Sequence, residues 1–575
     1  MTIQIQQRQS DPSLPLIDRI LQSRGLDAAA LDFSLKGLQS YSQLKDIDKA
    51  ADLLFSAIQN QQRILIVGDF DADGATSTAL AVDCLKKMGA SWVHYLVPNR
   101  FEYGYGLSEP IAQLAHDEYK PDLLITVDNG ISSFEGVDKA KQLGMKVLVT
   151  DHHLAAETLP NADAIVNPNQ PGCLFPSKSA CGCAVIFYVL CALRAHMINQ
   201  GIDGNSLPNM AGYLDLVALA SVADVVPLDN NNRIIVEQGL RRIRSGFGRP
   251  GIQALLKVAK KNAAQLTSKD FGFALGPRLN AAGRMDDMSI GIECLLSANE
   301  VDAESAAQLL DDLNSARKQV ETGMQAQALA ELEQLPVEQV NQASSLCLFR
   351  ESWHQGVIGL LASRLKEKYY RPVIIFAPAQ EGDLSPQAEL KGSGRSIPGF
   401  HLRDALDLVA KRIPHALSKF GGHAMAAGLS INRQHLDEFI QCFETVTQDL
   451  LTPELLVNEV VSDGLPAPLD FTINMARQLR FIAPWGQNFP EPLFDGLFNV
   501  LNYRLLGADK NHLKLTLQHP LGGPALDGIL FGIERHGLLP DSLMALRQVH
   551  IVFEMDVNEF RGNESVQLII RHILI

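Results

Sequence analysis

The chain is poor in the features that would mark a disulfide-built secreted protein, a membrane protein or a disordered one. Its 8 cysteines among 575 residues do not form a disulfide framework. The local group Cys173, Cys181, Cys183 and Cys191 lacks the paired C-x-x-C knuckle of a structural zinc site. SACGCAVIFYVLCALRAH around those thiols reads instead as a buried helix rich in small residues. No apolar run has the length of a membrane span, and the opening MTIQIQQRQSDPSLPL lacks the basic-then-apolar order of a signal peptide. The expected location is the cytoplasm, with no membrane partner. Low-complexity tracts and blocks of like charge are missing too, so disorder is a minor theme. A net charge of −15 argues against a protein that coats nucleic acid indiscriminately, yet leaves room for a narrow basic channel leading to an acidic site.

What is present is ample apolar material, 46% of residues, in a chain long enough for roughly three to four domains. The informative stretch is RILIVGDFDADGATSTAL, residues 63–80, in which an apolar run ends in Asp69, Asp71 and Asp73 on alternate positions. A carboxylate taken from water costs several kcal/mol, as an order of magnitude, unless a cation or donors compensate it. Three together ask for a metal ion. The run ILIVG suits a strand buried on both faces, and ATSTALAVDCLKKMG then takes up helical spacing until Gly89 stops it.

The pattern repeats. SWVHYLVP (91–98), DLLITVDNG (122–130) and KVLVTDHH (146–153) each read as a strand entering a polar loop, with helices such as FEGVDKAKQLG between them. This alternation predicts an α/β doubly wound parallel sheet with its function at the carboxyl ends of the strands. Asp128, Asp151, His152 and His153 fall at such ends, and Asp224 closes the apolar helical run LDLVALASVADVVPL. Singly, each is most simply a cap or turn residue; together, at successive ends of one sheet, they read as a site. Oxygen ligands with one or two imidazoles suit two Mg²⁺ or Mn²⁺ ions better than zinc. A pair of such ions polarises a phosphoryl group, lowers the pKa of water and stabilises the leaving oxygen, so phosphoester hydrolysis without a covalent enzyme intermediate is expected.

Residues 299–335 have the composition of a long connecting helix. A second α/β pattern follows, with SSLCLF, the helix GVIGLLASRLKEKYY, the strand PVIIFAP, a Gly/Ser loop, a helix near 402–411, KFGGHAMAAGLSI and a helix at HLDEFIQCFETV. From about residue 456 the segments YRLLG, HLKLTLQ, ALDGILFGI, RQVHIVFEMDV and SVQLIIRHILI suggest a small barrel of five or so strands, of the oligonucleotide-binding (OB) type. The expected division is an N-terminal extension 1–45, a catalytic domain 46–298, the helix 299–335, a smaller α/β domain 336–455 and the barrel 456–575.

The motifs DxDxDG (69–74), VDNG (127–130), DHH (151–153) and ASVADVVPL (220–228) resemble those of the DHH phosphoesterase superfamily. GPRLNAAGRM (276–285), WHQGVIGLLASRL (353–365), GSGRSI (392–397) and KFGGHAMAAG (419–428) extend the resemblance to the bacterial RecJ family of single-strand-specific exonucleases, from about residue 45 to the C-terminus. The resemblance implies a DHH domain, a DHH-associated domain and an OB-like barrel. It also implies 5′-to-3′ hydrolysis of single-stranded DNA to mononucleotides with Mg²⁺ or Mn²⁺, in recombination and mismatch repair. Single-stranded-DNA-binding protein and a RecQ-type helicase are the implied partners, and a monomer the expected state. Residue by residue it makes Asp71, Asp73, Asp128, His152 and Asp224 metal ligands, with Asp69 a further ligand or a supporting carboxylate. Asp151 then orients its neighbours, and His153 contacts the scissile phosphate or moves a proton.

The same resemblance assigns a terminal-phosphate pocket to Arg100, Ser393, Gly394 and Arg395, although composition alone reads GSGRS as a surface loop. Gly421, Gly422 and His423 join as substrate binders, against a structural role for a histidine in a turn. Arg278, Asn280 and Arg284 track the DNA backbone or else form interdomain ion pairs, and Tyr103 with Tyr105 stacks on bases or packs its loop. The rival readings are a DHH phosphoesterase acting on pyrophosphate, short oligoribonucleotides or a cyclic dinucleotide, an RNA nuclease, and a scaffold that has lost catalysis.

Overall fold

The computed structural model describes residues 3–98, 106–333, 343–380, 382–507, 510–533, 547–560 and 562–574. The chain forms two compact units, one of Leu26–Ser315 with Arg480–Glu491, the other of residues 1–25, Ala316–Leu479 and Pro492–Ile575.

In the first unit, five strands, β1 (Arg63–Val67), β2 (Trp92–Leu96), β3 (Leu123–Val127), β4 (Lys146–Thr150) and β5 (Ala164–Val166), form a sheet of order β2-β1-β3-β4-β5. Every pairing is parallel. The apolar run Ile64–Val67 is fully buried, each such side chain contributing roughly 1.5–3 kcal/mol. Helices α1 (Ile47–Gln59), α2 (Ala72–Lys87), α3 (Glu109–Tyr119) and α4 (Phe134–Gln142) flank the sheet. Leu65 and Val67 pack with Leu107, Ile111 and Val137 in one apolar core under α3 and α4. Because β1 has β2 on one side and β3 on the other, the connections leave in opposite directions there, opening a crevice at the carboxyl ends of β1 and β3. The short β5 has no counterpart in the sequence reading; three residues give too little pattern.

Behind the sheet, α5 (Gly182–Asn199) is the buried helix foreseen around the cysteines, and Cys181 and Cys183 are buried free thiols. It is the one helix among the described residues long and apolar enough to cross a membrane, and 67% of it is buried inside the protein. Beside it runs α6 (Leu214–Ala223), with Asp224 as its C-terminal cap. Helix α7 (Gly276–Met285) continues a π-helical turn, Phe271–Leu275. The long helix α8 (Glu300–Glu333) leads out of the first unit and into the second.

The second unit carries a five-stranded sheet of β6 (Leu346–Phe349), β7 (Val373–Pro378), β8 (Glu389–Arg395), β9 (Leu417–Gly422) and β10 (Ala426–Asn432), in the order β9-β10-β8-β7-β6. Only β6 and β7 are parallel. Helices α9 (Ile358–Tyr369), α10 (Leu402–Arg412) and α11 (Leu436–Leu450) belong to the same domain, and Phe376, Phe439 and Phe443 lie in its core. The Gly/Ser loop expected at 392–397 is in fact largely strand β8. A Cβ on Gly392 would lie 2.7 Å from Leu429 and Phe376 atoms, and one on Gly394 2.7 Å from Leu402, so these glycines exist to let neighbours close on the strand.

The C-terminal strands β11 (Phe494–Leu506), β12 (His512–Gln518), β13 (Ala525–Phe531), β14 (Gln548–Phe560) and β15 (Asn563–Leu574) close a barrel of order β11-β12-β13-β15-β14. Its five strands are the OB-like barrel expected. Ahead of it, Asn458–Ser462 pairs in parallel with Ile3–Gln7 from the N-terminus, a strand that sequence reasoning did not foresee.

Candidate active site

Seven of the residues singled out from sequence come together at the crevice. Asp69 and Asp71 lie between β1 and α2, Asp73 in the first turn of α2, Asp128 after β3, His152 and His153 after β4, and Asp224 at the end of α6. Asp69, Asp73 and Asp128 are buried, and Asp224 is partly exposed.

Backbone amides hold much of this charge in place. Asp71 caps α2, accepting from the N–H groups of Asp73 and Gly74 at 2.9 and 3.0 Å. Asp73 in turn receives the first amides of α5, from Gly182 at 2.6 Å and Cys183 at 2.8 Å. The positive end of that helix therefore faces the acidic cluster. Burial, and then the charge of Asp71, nevertheless push the Asp73 carboxyl up to about 7. Asp128 and Asp224 are raised well above the ordinary carboxylate range for the same first reason, with the surrounding aspartates adding to it. Like charges crowded out of water in this way are what a divalent cation would relieve.

The two histidines differ. His152 Nε2 is buried, makes no hydrogen bond, and lies 3.2 Å from Asp128 Oδ1 and 3.5 Å from Asp224 Oδ2. Those spacings approach the edge of about 3 Å between neighbouring ligands of an octahedral ion with bonds of about 2.1 Å. Burial, reinforced by His153, lowers the His152 pKa to about 4, so near neutral pH the ring is neutral and offers a lone pair. His153 instead donates through Nδ1–H to Asp151 Oδ1 at 2.8 Å. Burial works against its protonation, but Asp151, Asp69 and Asp73 outweigh that and raise its pKa. Asp151 also accepts from the backbone N–H of His152, His153 and Ile131. Burial tends to raise its carboxyl, yet these bonds and the His153 charge hold it below the usual range.

Three ligand sets have their donor atoms within 4.8 Å of one another here: Asp69, Asp71 and Asp128; Asp73, His152 and Asp224; and Asp128, His152 and His153. Asp128 and His152 each belong to two of them. Asp128 itself has φ +63°, and Val225, next to Asp224, has φ +59°, uncommon for a β-branched residue. Sequence reasoning missed Gly182. A Cβ there would stand 2.6 Å from Asp128 Cβ and Oδ1, so only glycine lets α5 approach this closely. The visible signal was a glycine between two cysteines at the start of an apolar helix.

The remaining residues sort differently. Arg278 donates to Ala274 O at 2.7 Å and pairs with Asp311 of α8 at 2.7 Å, both partners lying in the first unit. Asn280 Oδ1 accepts from the N–H of Ala72 at 2.8 Å and thereby fixes the aspartate loop. Arg284 is in the last turn of α7. Arg100 and Tyr103, with Tyr105, lie outside the described residues.

Ser393, Gly394, Arg395, Gly421, Gly422 and His423 form their own group in the second unit. Ser393 lies between Ile375 and Gly428, and Gly428 is opposite Gly421, so one row of the sheet runs Ser393, Gly428, Gly421. Over Gly428 and Gly421 a Cβ would meet nothing within 4 Å. This bare floor adjoins the Arg395 guanidinium, which donates to Ser393 Oγ at 3.2 Å and Gly394 O at 2.8 Å; burial lowers its pKa. Gly359 at the start of α9 gives it room, since a Cβ there would lie 3.0 Å from Arg395 Nη2. His423 is exposed in the hairpin between β9 and β10.

Comparison with known proteins gives consistent matches along the chain. The DHH family, N-terminal domain, matches residues 63–221, the DHHA1 domain 340–449 and the RecJ OB domain 462–572. The single-stranded-DNA-specific exonuclease RecJ of Escherichia coli (strain K12) is 50% identical, over 99% of both chains. That of Bacillus subtilis (strain 168) is 32% identical over 97% of this chain and 67% of its own. The crystal structure of RecJ in complex with Mn²⁺ from Thermus thermophilus aligns with a TM-score of 0.80 at 26% identity, covering 100% of this chain and 80% of that one. The same protein in complex with Mg²⁺ gives 0.75 at 25% identity, covering 100% and 78%.

Proposed function

Because the chain belongs to the RecJ family of DHH proteins, we propose that it is a single-stranded-DNA-specific exonuclease that hydrolyses phosphodiester bonds from the 5′ end and releases 5′-mononucleotides. The observation that carries this reading is the convergence of Asp69, Asp71, Asp73, Asp128, His152 and Asp224 at one crevice, with a buried, unbonded His152 Nε2 aimed between two carboxylates. Two Mg²⁺ or Mn²⁺ ions would be held by Asp69, Asp71 and Asp128 on one side and by Asp73, His152 and Asp224 on the other. When bound, such ions activate water and neutralise charge developing on the phosphoryl group.

The chain's own groups have distinct tasks. Asp73 and Asp71, held by backbone N–H groups, fix the ligand positions before any cation arrives. His152 is neutral and presents a lone pair. His153, kept protonated more readily by Asp151, donates a hydrogen bond toward a substrate phosphate or carries a proton. Ser393, Arg395 and the glycine floor beside them suit a terminal phosphate, for which a guanidinium fork and hydroxyl are the expected donors. We assign the enzyme to DNA recombination and mismatch repair in the cytoplasm, as a monomer, beside single-stranded-DNA-binding protein and a RecQ-type helicase, as the family resemblance implies.

The test uses 5′- and 3′-end-labelled single strands in Mn²⁺, beside a duplex, an RNA and the Asp128→Ala variant. Immediate release of labelled mononucleotide from the 5′ end of single-stranded DNA alone, lost in the variant, is the expected result. Binding without cleavage would favour a scaffold. Preference for RNA or a dinucleotide would overturn the substrate while keeping the chemistry.

A further inference from the structure

We infer that Phe273 is a stacking platform for a nucleobase of the single strand held at the acidic cluster; this rests on the exonuclease reading and adds to it a contact with a base. Phosphate, metal and water account for the acids and histidines, but none of them explains an apolar ring presented to solvent on a helix packed against the site. Phe273 is 79% exposed, while Phe271, Ala274 and Leu275 of the same turn are buried. The turn is π-helical, within an otherwise continuous helix from Ser268 to Met285. A π bulge inserts an extra residue, which lets the flanking side chains stay in the core while one is turned outward, and such bulges recur at functional sites. Among the described residues Phe273 joins no ring pair and no cation contact.

Placement ties that ring to the reaction. A Cβ on Gly272 would lie 3.4 Å from Val222, and one on Gly276 3.1 Å from Ala223 Cβ, so the turn is packed on the last turn of α6, which ends in Asp224. Further along the same helix, Asn280 holds the N–H of Ala72, and a Cβ on Gly283 would collide with Phe70 O, so α7 also rests on the aspartate loop. The element that bears Phe273 is thus braced against two of the loops that supply ligands. Val225, after Asp224, is 60% exposed, and Leu154, after the histidines, 65%. Scattered exposed apolar residues are ordinary on a protein surface. Here two, Val225 and Leu154, follow directly on ligand-bearing segments, and the third and largest, the aromatic Phe273, stands on the helix packed against one of them. Single strands are gripped by stacking of bases on such rings without regard to sequence, which fits an enzyme that must digest any sequence.

The test compares the full-length wild type, Phe273→Ala and Phe273→Trp in Mn²⁺ on 5′-phosphorylated oligo(dT). A matching set of strands carries one tetrahydrofuran abasic residue at each of the first four positions. Phe273→Ala should lower kcat/KM roughly 5- to 150-fold, the range seen for loss of one stacked base, chiefly through KM. Phe273→Trp should retain it. In the wild type an abasic residue at one position should cost a similar factor, and at that position it should cost Phe273→Ala nothing more. Unchanged Mn²⁺ affinity by calorimetry would separate stacking from damage to the ligands. Equal activity of Phe273→Ala and wild type, or the same further loss from every abasic residue in both, would refute the stacking. A wild type that digests no single strand would refute the exonuclease reading itself.

Discussion

Gly182→Ala is the sharpest test of how the acidic cluster is assembled. The position is the first residue of α5 and does not have positive φ, so alanine brings no backbone strain and is, if anything, the better helix former. The whole effect is steric. The new methyl would stand 2.6 Å from Asp128 Cβ and Oδ1 and 2.8 Å from Asp128 Cα, about 1 Å inside the normal separation of carbon atoms. Asp128 has little freedom to retreat, being 2% exposed, at φ +63° and bonded through its N–H to Thr150 O at 3.1 Å. If α5 retreats instead, the bonds of 2.6 and 2.8 Å from its first amides to Asp73 are lost. Either response moves Asp73 and Asp128 apart by about 1 Å, and a displacement of that size costs about 100-fold in rate.

Overpacking of this kind costs about 1–3 kcal/mol, which lowers Tm by roughly 2–10 °C in a unit this large. The expected outcome is therefore a folded protein with a modest fall in Tm, a fall of about 100-fold in kcat/KM on single-stranded DNA, and weakened Mn²⁺ binding by calorimetry. Gly323→Ala in α8, where a Cβ meets nothing within 4 Å, is the control and should be neutral or stabilising by about 1 kcal/mol. Wild-type activity and Mn²⁺ affinity in Gly182→Ala would show that α5 does not clamp the ligands and would refute the reasoning.

Three further outcomes are expected. Arg24 forms a two-pronged pair with Asp463 at 2.7 and 3.0 Å, with side chains 5% and 4% exposed; Arg24→Ala should destabilise the second unit by roughly 3 kcal/mol in urea titrations, almost independently of salt, because it leaves a buried carboxylate with only the more distant Arg8 Nε, at 3.7 Å, as its cation. Chelator-treated Asp73→Asn should gain stability relative to chelator-treated wild type as pH rises. The wild-type carboxyl, raised from 3.8 to about 7, favours folding fully below pH 3.8 and loses about 4 kcal/mol of that by the time pH passes 7, which thermal melts across pH 4–8 would detect and a flat difference would contradict. Arg395→Lys keeps the charge but not the fork, so KM for 5′-phosphorylated strands should rise about tenfold and the preference over 5′-hydroxyl strands should vanish, as steady-state kinetics on the two substrates would reveal.

The parts of this protein that were legible from sequence are those in which local pattern and function coincide. Ile64–Val67, Leu123–Val127 and Lys146–Thr150 are continuous apolar strands, and their following acids and histidines must meet because a parallel sheet brings all its carboxyl ends to one edge. What stayed hidden depended on a distant partner. Nothing near Arg278 and Asn280 in the chain shows what they touch, and their partners, Asp311 and the N–H of Ala72, come from distant segments. Glycine-rich GSGRS read as a loop because composition cannot show that Leu402, Leu429 and Phe376 occupy the space those glycines leave. The strand Ile3–Gln7 has its partner at residues 458–462, beyond the reach of any window.

The cluster also shows how like charges can be kept together before a cation neutralises them. Asp71, Asp73 and Asp151 each spend oxygens on backbone N–H groups, from the start of α2, the start of α5 and the loops after β3 and β4. These bonds come from the ends of secondary structures that the apolar core already fixes, so the carboxylates are positioned by the fold and not by the ion. His152 and Asp224 are different: Nε2 of the one has no hydrogen bond, and the other caps α6 at the rim of the site. A cation arriving here meets ligands whose ordering has already been met by folding, and its binding energy is available for holding substrate. It follows that the two kinds of ligand should fail differently. Replacing Asp73 or Asp151 removes support from helix ends and loops together with the charge, whereas Asp224→Asn should leave the fold intact while abolishing metal-dependent cleavage.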